Sequence, residues 1–183
     1  NGEALGMLVP KSLVRDCDLA RIGFGQTVAV SGLQLACATA AAVNGGNYYV
    51  PHLLKGIASS DGKRVEEYTP VLKQNPISAQ ASRTLAEMLE GVVKEGSGKK
   101  AYIEGYKVGG KTGTAQKYED GHIAAGKYVS SFVGFFPSNN PRYLALIIVD
   151  EPEGTYYGSA VAAPVAKEIF EDIIKIKNIG RFE

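Results

Sequence analysis

Three segments with strand-like sequences follow one another closely in the second half of the chain. They cover residues 107–116, 128–137 and 142–150 and are rich in β-branched, aromatic and small residues. Turn-forming residues separate them at 119–121 and 138–141. Because parallel neighbours need a crossover of about a dozen residues or more, the short connections predict an antiparallel meander.

Helical patterns lie before and after this predicted sheet. The segment 33–43 is rich in alanine and leucine and ends at an Asn-Gly-Gly stop, and 78–93 begins with a serine suited to capping a helix. Apolar residues recur at helical spacing in the second segment (Leu85, Met88, Leu89 and Val92) and again between 159 and 177. Coil is expected up to about Ala20, and short strands with a turn between 48 and 63. The sequence therefore predicts an α+β fold in which helices pack on an antiparallel sheet.

Composition limits the classes of function. The chain has 183 residues, of which 45% are hydrophobic, and its 20 basic and 19 acidic side chains leave a net charge of +1. This balance, without basic runs interleaved with aromatics, argues against nucleic-acid binding. Two cysteines and two histidines show no metal-ligand spacing, so we expect no metal and no other cofactor.

The run 108–116, Val-Gly-Gly-Lys-Thr-Gly-Thr-Ala-Gln, carries the candidate chemistry. Alternation along a strand places Lys111 and Gly113 on one face and Thr112 and Thr114 on the other. Glycines in a strand let another backbone approach its edge closely. An ammonium and two hydroxyls on such an edge predict a site that holds a carboxylate and pairs with a peptide.

A phosphate-binding loop is the alternative interpretation of the same residues. Residues 105–112 match the pattern Gly-x4-Gly-Lys-Thr, and 143–151 resembles an apolar strand ending in an acid that holds magnesium. Such a loop requires a buried strand before it and a helix that begins at its Lys-Thr pair. The segment 101–104 is too short and polar to be that buried strand, and Gly113 disfavours a helix after Thr112. The sequence therefore favours a strand, with nucleotide binding as the weaker alternative.

The Lys-Thr-Gly triplet at 111–113 is also one of three signatures of penicillin-recognising serine enzymes. Flanking segments continue the pattern of these enzymes in the same order along almost the whole chain. The chain thus resembles the C-terminal portion of a penicillin-binding protein transpeptidase domain of the class B, monofunctional kind. The segments that carry this resemblance, besides the triplet, are 23–26, 31–35, 44–46 with Pro51, 95–101, 131–137 and 157–164.

The resemblance implies a D,D-transpeptidase that cross-links peptidoglycan by acyl transfer from D-Ala-D-Ala stem peptides and that β-lactams acylate. It implies a catalytic role for Lys111, which supplies positive charge and assists proton transfer. It also implies that Thr112 and Thr114 bind the ligand carboxylate, that Gly113 keeps the strand open to substrate, and that the Thr114 N–H stabilises the oxyanion. Further implied are an extracytoplasmic location, a membrane anchor on an N-terminal part, and partners in a cell-wall synthesis complex.

Two signatures of the family precede the triplet in its members, and this chain offers no convincing copy of either. Residues 97–100 have Ser-x-x-Lys spacing but are flanked by glycines, and residues 138–140 have Ser-x-Asn spacing but follow the triplet. Both are predicted to be loops. We therefore expect residues 1–183 to be an incomplete domain that lacks the nucleophile, is inactive alone and depends on the remaining N-terminal part of the same protein. A non-catalytic structural or partner-binding module is the remaining alternative.

Overall fold

The computed structural model describes residues 4–26, 28–119 and 122–182. The chain divides into two compact units, residues 1–35 and residues 36–183. Helices and antiparallel sheets are present, so the predicted α+β class is confirmed.

The first unit contains a 3-10 helix, Lys11–Leu13, and a short helix α1, Asp16–Ile22. The prediction of coil up to Ala20 is therefore wrong for residues 16–20. The helix is capped by Asp18, whose carboxylate accepts from the Arg15 amide at 3.2 Å and from the Arg15 guanidinium at 2.9 Å. This acidic residue in the first helical turn is the local signal that the sequence reading overlooked.

Helix α2, Gly32–Val43, confirms the predicted helix 33–43. It ends where Gly45 and Gly46 adopt positive φ angles of 93° and 87°. Position 46 also needs glycine because a Cβ there would lie 2.0 Å from the carbonyl oxygen of Ile77. The backbone after α2 is thus forced to turn sharply.

Residues 48–74 form two small antiparallel sheets, of which the part between 48 and 63 was predicted as short strands with a turn. Strand β1, Tyr48–Tyr49, pairs with β4, Leu72–Gln74. Strand β2, Gly56–Ala58, pairs with β3, Arg64–Glu67.

Helix α3, Ala79–Lys94, begins as predicted at Ser78, whose hydroxyl accepts from the Ala81 amide at 3.1 Å. Its buried face is formed by Ser82, Ala86 and Val93. Met88, which the apolar spacing assigned to the packed face, is instead 64% exposed. The buried residues are spaced by four and seven, and Met88 lies off that stripe.

The main sheet is an antiparallel meander in the order β5-β6-β7. Its strands are β5, Gly109–Glu119, β6, His122–Phe136, and β7, Tyr143–Asp150. The meander and the turn at 138–141 confirm the sequence prediction.

The β5–β6 hairpin extends further than its sequence indicated. Strand β6 begins at His122, whereas the expected strand began at Tyr128, because Gly126 and the polar residues around it read as a loop. The predicted turn 119–121 includes Asp120 and Gly121, which lie outside the described residues.

The two faces of the main sheet are covered by different helices. Helices α4, Gly158–Val161, and α5, Ala163–Lys177, replace the single predicted helix 159–177 and meet at Ala162. On the α5 face, Phe132, Phe136 and Phe170 are fully buried in one core cluster. On the other face, Phe135 packs with Val43 and Ala86. Strand alternation thus sends successive phenylalanines of β6 into two cores.

Candidate functional site

The predicted site residues lie together in β5, at the edge of the main sheet. Lys111, Thr112, Gly113 and Thr114 pair in register with residues 130–133 of β6. Strand β6 is the only partner strand of β5 among the described residues, so the other edge of β5 has no strand paired to it in that part of the chain. Lys111 and Thr112 lie inside a strand, whereas a phosphate loop needs a helix to begin there, so the phosphate-loop alternative is wrong.

The glycines that precede the triplet make room for aromatic rings. A Cβ at Gly109 would lie 2.3 Å from a ring atom of Phe135, and one at Gly110 would lie 2.4 Å from a ring atom of Phe132. These two positions therefore require glycine for packing within the sheet. Gly109 and Gly110 allow β5 to pack directly against the two hydrophobic cores, one on each face of the sheet.

Gly113 lies close to a side chain of the paired strand. A Cβ at Gly113 would lie 2.5 Å from the Ser131 hydroxyl oxygen on the paired strand. Because Gly113 and Ser131 are register partners, their side-chain positions share one face of the sheet. A side chain at 113 would therefore collide with β6.

Lys111 carries the positive charge of the site. Its side chain is exposed, and its Nζ donates to the backbone carbonyl oxygen of Thr112 at 3.0 Å. Over residues 4–26, 28–119 and 122–182, no carboxylate forms an ion pair with this ammonium. No described carboxylate therefore neutralises the charge of Lys111.

The Thr112 hydroxyl meets Ser97, which lies in the turn after α3. The two hydroxyl oxygens are 3.2 Å apart, and either can donate. The prediction that residues 97–100 form a loop is confirmed for Ser97 and Gly98, which lie in a turn, whereas the next two residues belong to a 3-10 helix, Lys99–Ala101. The contact with Thr112 was missed, since nothing local in the sequence reveals it.

The Thr114 hydroxyl oxygen accepts a hydrogen bond from the backbone amide of Gly158 at 3.1 Å. Gly158 is buried where α4 begins against the sheet. A Cβ on Gly158 would lie 2.3 Å from the carbonyl oxygen of Ser131 and 2.4 Å from that of Gly113. Only glycine therefore brings this amide to Thr114 without displacing the strands.

Thr112 and Thr114 stand on the same face of β5, about 7 Å apart along the strand. Together with the nearby ammonium of Lys111 they offer hydroxyl hydrogens and positive charge to a ligand that carries an acceptor. Groups of this kind are suited to an anion such as a carboxylate.

Three tyrosine rings lie close together next to Gly158. The rings of Tyr128 and Tyr156 are parallel within 8° with centroids 3.9 Å apart, and Tyr156 and Tyr157 are 4.7 Å apart. A hydrogen bond between the two hydroxyls raises the pKa of Tyr157. The Ser130 hydroxyl donates to the carbonyl oxygen of Tyr156 and holds the loop to β6.

Two further features bear on the class of site. Within the described residues, no three His, Cys, Asp or Glu side chains are grouped so that they could hold a metal ion. No helix in that part of the chain combines the length and apolar character needed to span a bilayer.

A match to a known family agrees with this geometry. Residues 1–171 match the penicillin binding protein transpeptidase domain family. Because the match covers most of the sequence, the chain belongs to this family.

Curated relatives resemble the chain over nearly its full length. Stage V sporulation protein D of Bacillus subtilis strain 168 is 42% identical over 173 residues, which is 93% of this chain and 27% of that protein. Peptidoglycan D,D-transpeptidase FtsI of Buchnera aphidicola is 36% identical over 181 residues, which is 97% of this chain and 30% of that protein. The chain thus spans less than a third of the length of these two relatives.

Solved structures share the fold. Penicillin binding protein 3 from Mycobacterium tuberculosis, complexed with ampicillin, superposes with a TM-score of 0.85 at 29% identity, over 99% of this chain and 42% of that one. The transpeptidase domain of penicillin-binding protein 3 from Burkholderia pseudomallei gives a TM-score of 0.82 at 32% identity, over 99% of this chain and 53% of that one. Both cover the main sheet and its helices.

Proposed function

We propose that the chain is the C-terminal portion, residues 1–183, of the transpeptidase domain of a longer peptidoglycan D,D-transpeptidase. The observation that supports this most strongly is the placement of Lys111, Thr112 and Thr114 on an edge strand of the main sheet, with both threonine hydroxyls already engaged by a second polar group. The same arrangement suits the terminal carboxylate of an acyl-D-Ala-D-Ala peptide.

In this proposal β5 forms one wall of the active site, and each of its site residues has a different role. Thr112 and Thr114 hydrogen-bond the ligand carboxylate, and Lys111 adds positive charge and assists proton transfer near the serine nucleophile. The Thr114 N–H helps to stabilise the oxyanion as the scissile carbonyl becomes tetrahedral. Gly113 keeps this part of the strand thin, because a side chain there would collide with Ser131.

The nucleophilic serine would come from the N-terminal part of the same protein. Exposed apolar side chains in the first unit support such an intramolecular partner, because large apolar surfaces normally have one. They include Leu5, Met7, Leu8, Leu13 and Phe24.

The proposed ligands are peptidoglycan stem peptides and β-lactams. The ampicillin complex of a structural relative supports the second class. Because relatives are named peptidoglycan D,D-transpeptidases, the proposed location is the extracytoplasmic face of the membrane, with an N-terminal anchor and partners in a cell-wall synthesis complex.

Covalent labelling of the full-length protein by a fluorescent penicillin tests this function. We expect an adduct on the wild type, a rate of acylation about a hundredfold lower in Lys111→Ala, and no adduct on residues 1–183 alone. Lys117→Ala is the matched control, because Lys117 lies in the same strand outside the triplet. An intact wild-type protein that forms no adduct would contradict the proposal and favour a non-catalytic module.

A further inference from the structure

The two threonines of the site each contact one polar group that does not belong to a ligand. For Thr114 this group is the backbone amide of Gly158, which can only donate. The Thr114 oxygen therefore accepts, and its own hydrogen remains free. A carboxylate offers only acceptors, so this is the state in which Thr114 can bind one.

The same reasoning applies to Thr112, whose neighbour is the hydroxyl of Ser97 at 3.2 Å. If Thr112 donated to Ser97, its single hydrogen would be unavailable to a carboxylate. If Ser97 donates, Thr112 accepts from Ser97 and donates to the ligand, as Thr114 does beside Gly158.

The turn that carries Ser97 is well anchored. The amides of Gly96 and Gly98 both donate to the carbonyl oxygen of Val92, at 3.1 and 3.0 Å, and the Lys99 amide donates to the Gly96 carbonyl oxygen at 3.2 Å. A Cβ at Gly96 would lie 2.9 Å from that Val92 oxygen, so the turn sits directly on the end of α3. Such support keeps the Ser97 hydroxyl in place before a ligand arrives.

We propose that Ser97 is a positioning residue for carboxylate recognition. Its hydroxyl donates to Thr112 and directs the Thr112 hydrogen towards the acidic terminus of the substrate or of a β-lactam. This inference rests on the proposed transpeptidase function and adds to it a residue outside the Lys-Thr-Gly strand.

Acylation kinetics of the full-length protein test the inference. We expect the second-order rate constant for acylation by benzylpenicillin to fall by about tenfold in Ser97→Ala, as for the loss of one hydrogen bond between uncharged groups. Ser97→Thr keeps a hydroxyl and should retain most of the rate. Ser59→Ala is the matched control, because Ser59 is an exposed turn serine with hydrogen bonds of its own to Asp61 and Lys63.

A double-mutant cycle separates positioning from a general structural effect. In the Thr112→Val background, Ser97→Ala should cause no further loss, because its effect passes through the Thr112 hydroxyl. Losses that multiply across the two sites would overturn the inference, as would a wild-type rate in Ser97→Ala. If Ser97→Ala folds poorly, Ser97→Cys replaces it in the cycle, since a thiol is a weaker donor. A wild type that forms no adduct would instead reject the proposed function itself.

Discussion

The two halves of the β5–β6 hairpin are built by different means. In the inner half, which carries the Lys-Thr-Gly triplet, Gly109 and Gly110 lie against the buried rings of Phe135 and Phe132. In the outer half, side chains such as Tyr118 are exposed.

Charged side chains join the strands of the outer half. Lys117 bonds Asp150 and Glu151, each at 2.7 Å, and Lys127 bonds Glu119 at 2.8 Å. Buried rings allow few alternative positions for a strand, whereas exposed ion pairs contribute little and are screened by salt. The comparison indicates that the buried phenylalanine rings packed against β5, more than ion pairs between strands, hold the site residues in place.

The largest expected effect comes from removing a ring under the inner half. Phe132→Ala should lower the free energy of unfolding by about 3–5 kcal/mol, because it leaves a cavity in a closely packed core. Tyr118→Ala in the outer half should change it by less than about 0.5 kcal/mol. Denaturant titration of the full-length protein measures both, and similar losses from the two substitutions would break the comparison.

Glycine substitutions sharpen the comparison, because the two halves need glycine for different reasons. Gly110→Ala should cost about 1–3 kcal/mol through overpacking against Phe132. Gly126 has open space around it but a φ of 77°, so Gly126→Ala should cost about 1 kcal/mol through backbone strain.

Asparagine distinguishes the two causes, since it tolerates the left-handed conformation better than alanine does. Gly126→Asn should recover most of the stability lost in Gly126→Ala, whereas Gly110→Asn should be at least as unstable as Gly110→Ala. Thermal denaturation compares the four variants, and a rescue at position 110 would show that packing is not the constraint there.

The smallest effect is expected from the ion pairs. Lys117→Met should lower the melting temperature only slightly at neutral pH, and the difference from the wild type should shrink in high salt. Lys55→Met is the control, because the Lys55 side chain has no ion-pair partner among the described residues. An undiminished difference in molar salt would count against an electrostatic origin.

The difference in melting temperature between the wild type and Lys117→Met should depend on pH through Glu151. The hydrogen bond from Lys117 lowers the pKa of Glu151, so the unfolded chain takes up its proton at a higher pH than the folded chain does. The stability contributed by this pair is therefore present above the ordinary glutamate pKa of about 4.3 and is lost as the pH falls through the lowered value. The melting temperatures of the wild type and Lys117→Met should converge at acidic pH. A difference that grows at acidic pH would contradict this prediction.

Local sequence signals predicted most of the fold. Strand alternation and short turns identified the meander, and a capping serine with an Asn-Gly-Gly stop bounded α3 and α2. The missed features depend on less obvious signals or on distant residues. Helix α1 depends on a single acidic capping residue. The exposure of Met88 depends on which face of α3 packs against the sheet. The break at Ala162 depends on how α4 packs against the sheet.

The candidate site could be predicted where its residues are consecutive in the sequence. The order of Lys111, Thr112, Gly113 and Thr114 within a strand indicated which groups could meet a carboxylate. The contacts of the threonines with Ser97 and Gly158 were not predictable, because they join residues 15 and 44 positions apart. The collision that excludes a side chain at Gly113 likewise requires the register of β5 with β6.

The backbone contact at Gly158 limits how this region can be diversified by directed evolution. A library randomised at that codon should return almost only glycine, whatever ligand is selected for, because any larger residue presses on two strands at once. Variation in ligand preference is more accessible through the length and sequence of the connection between β7 and α4, which can change while the amide that holds Thr114 stays where it is.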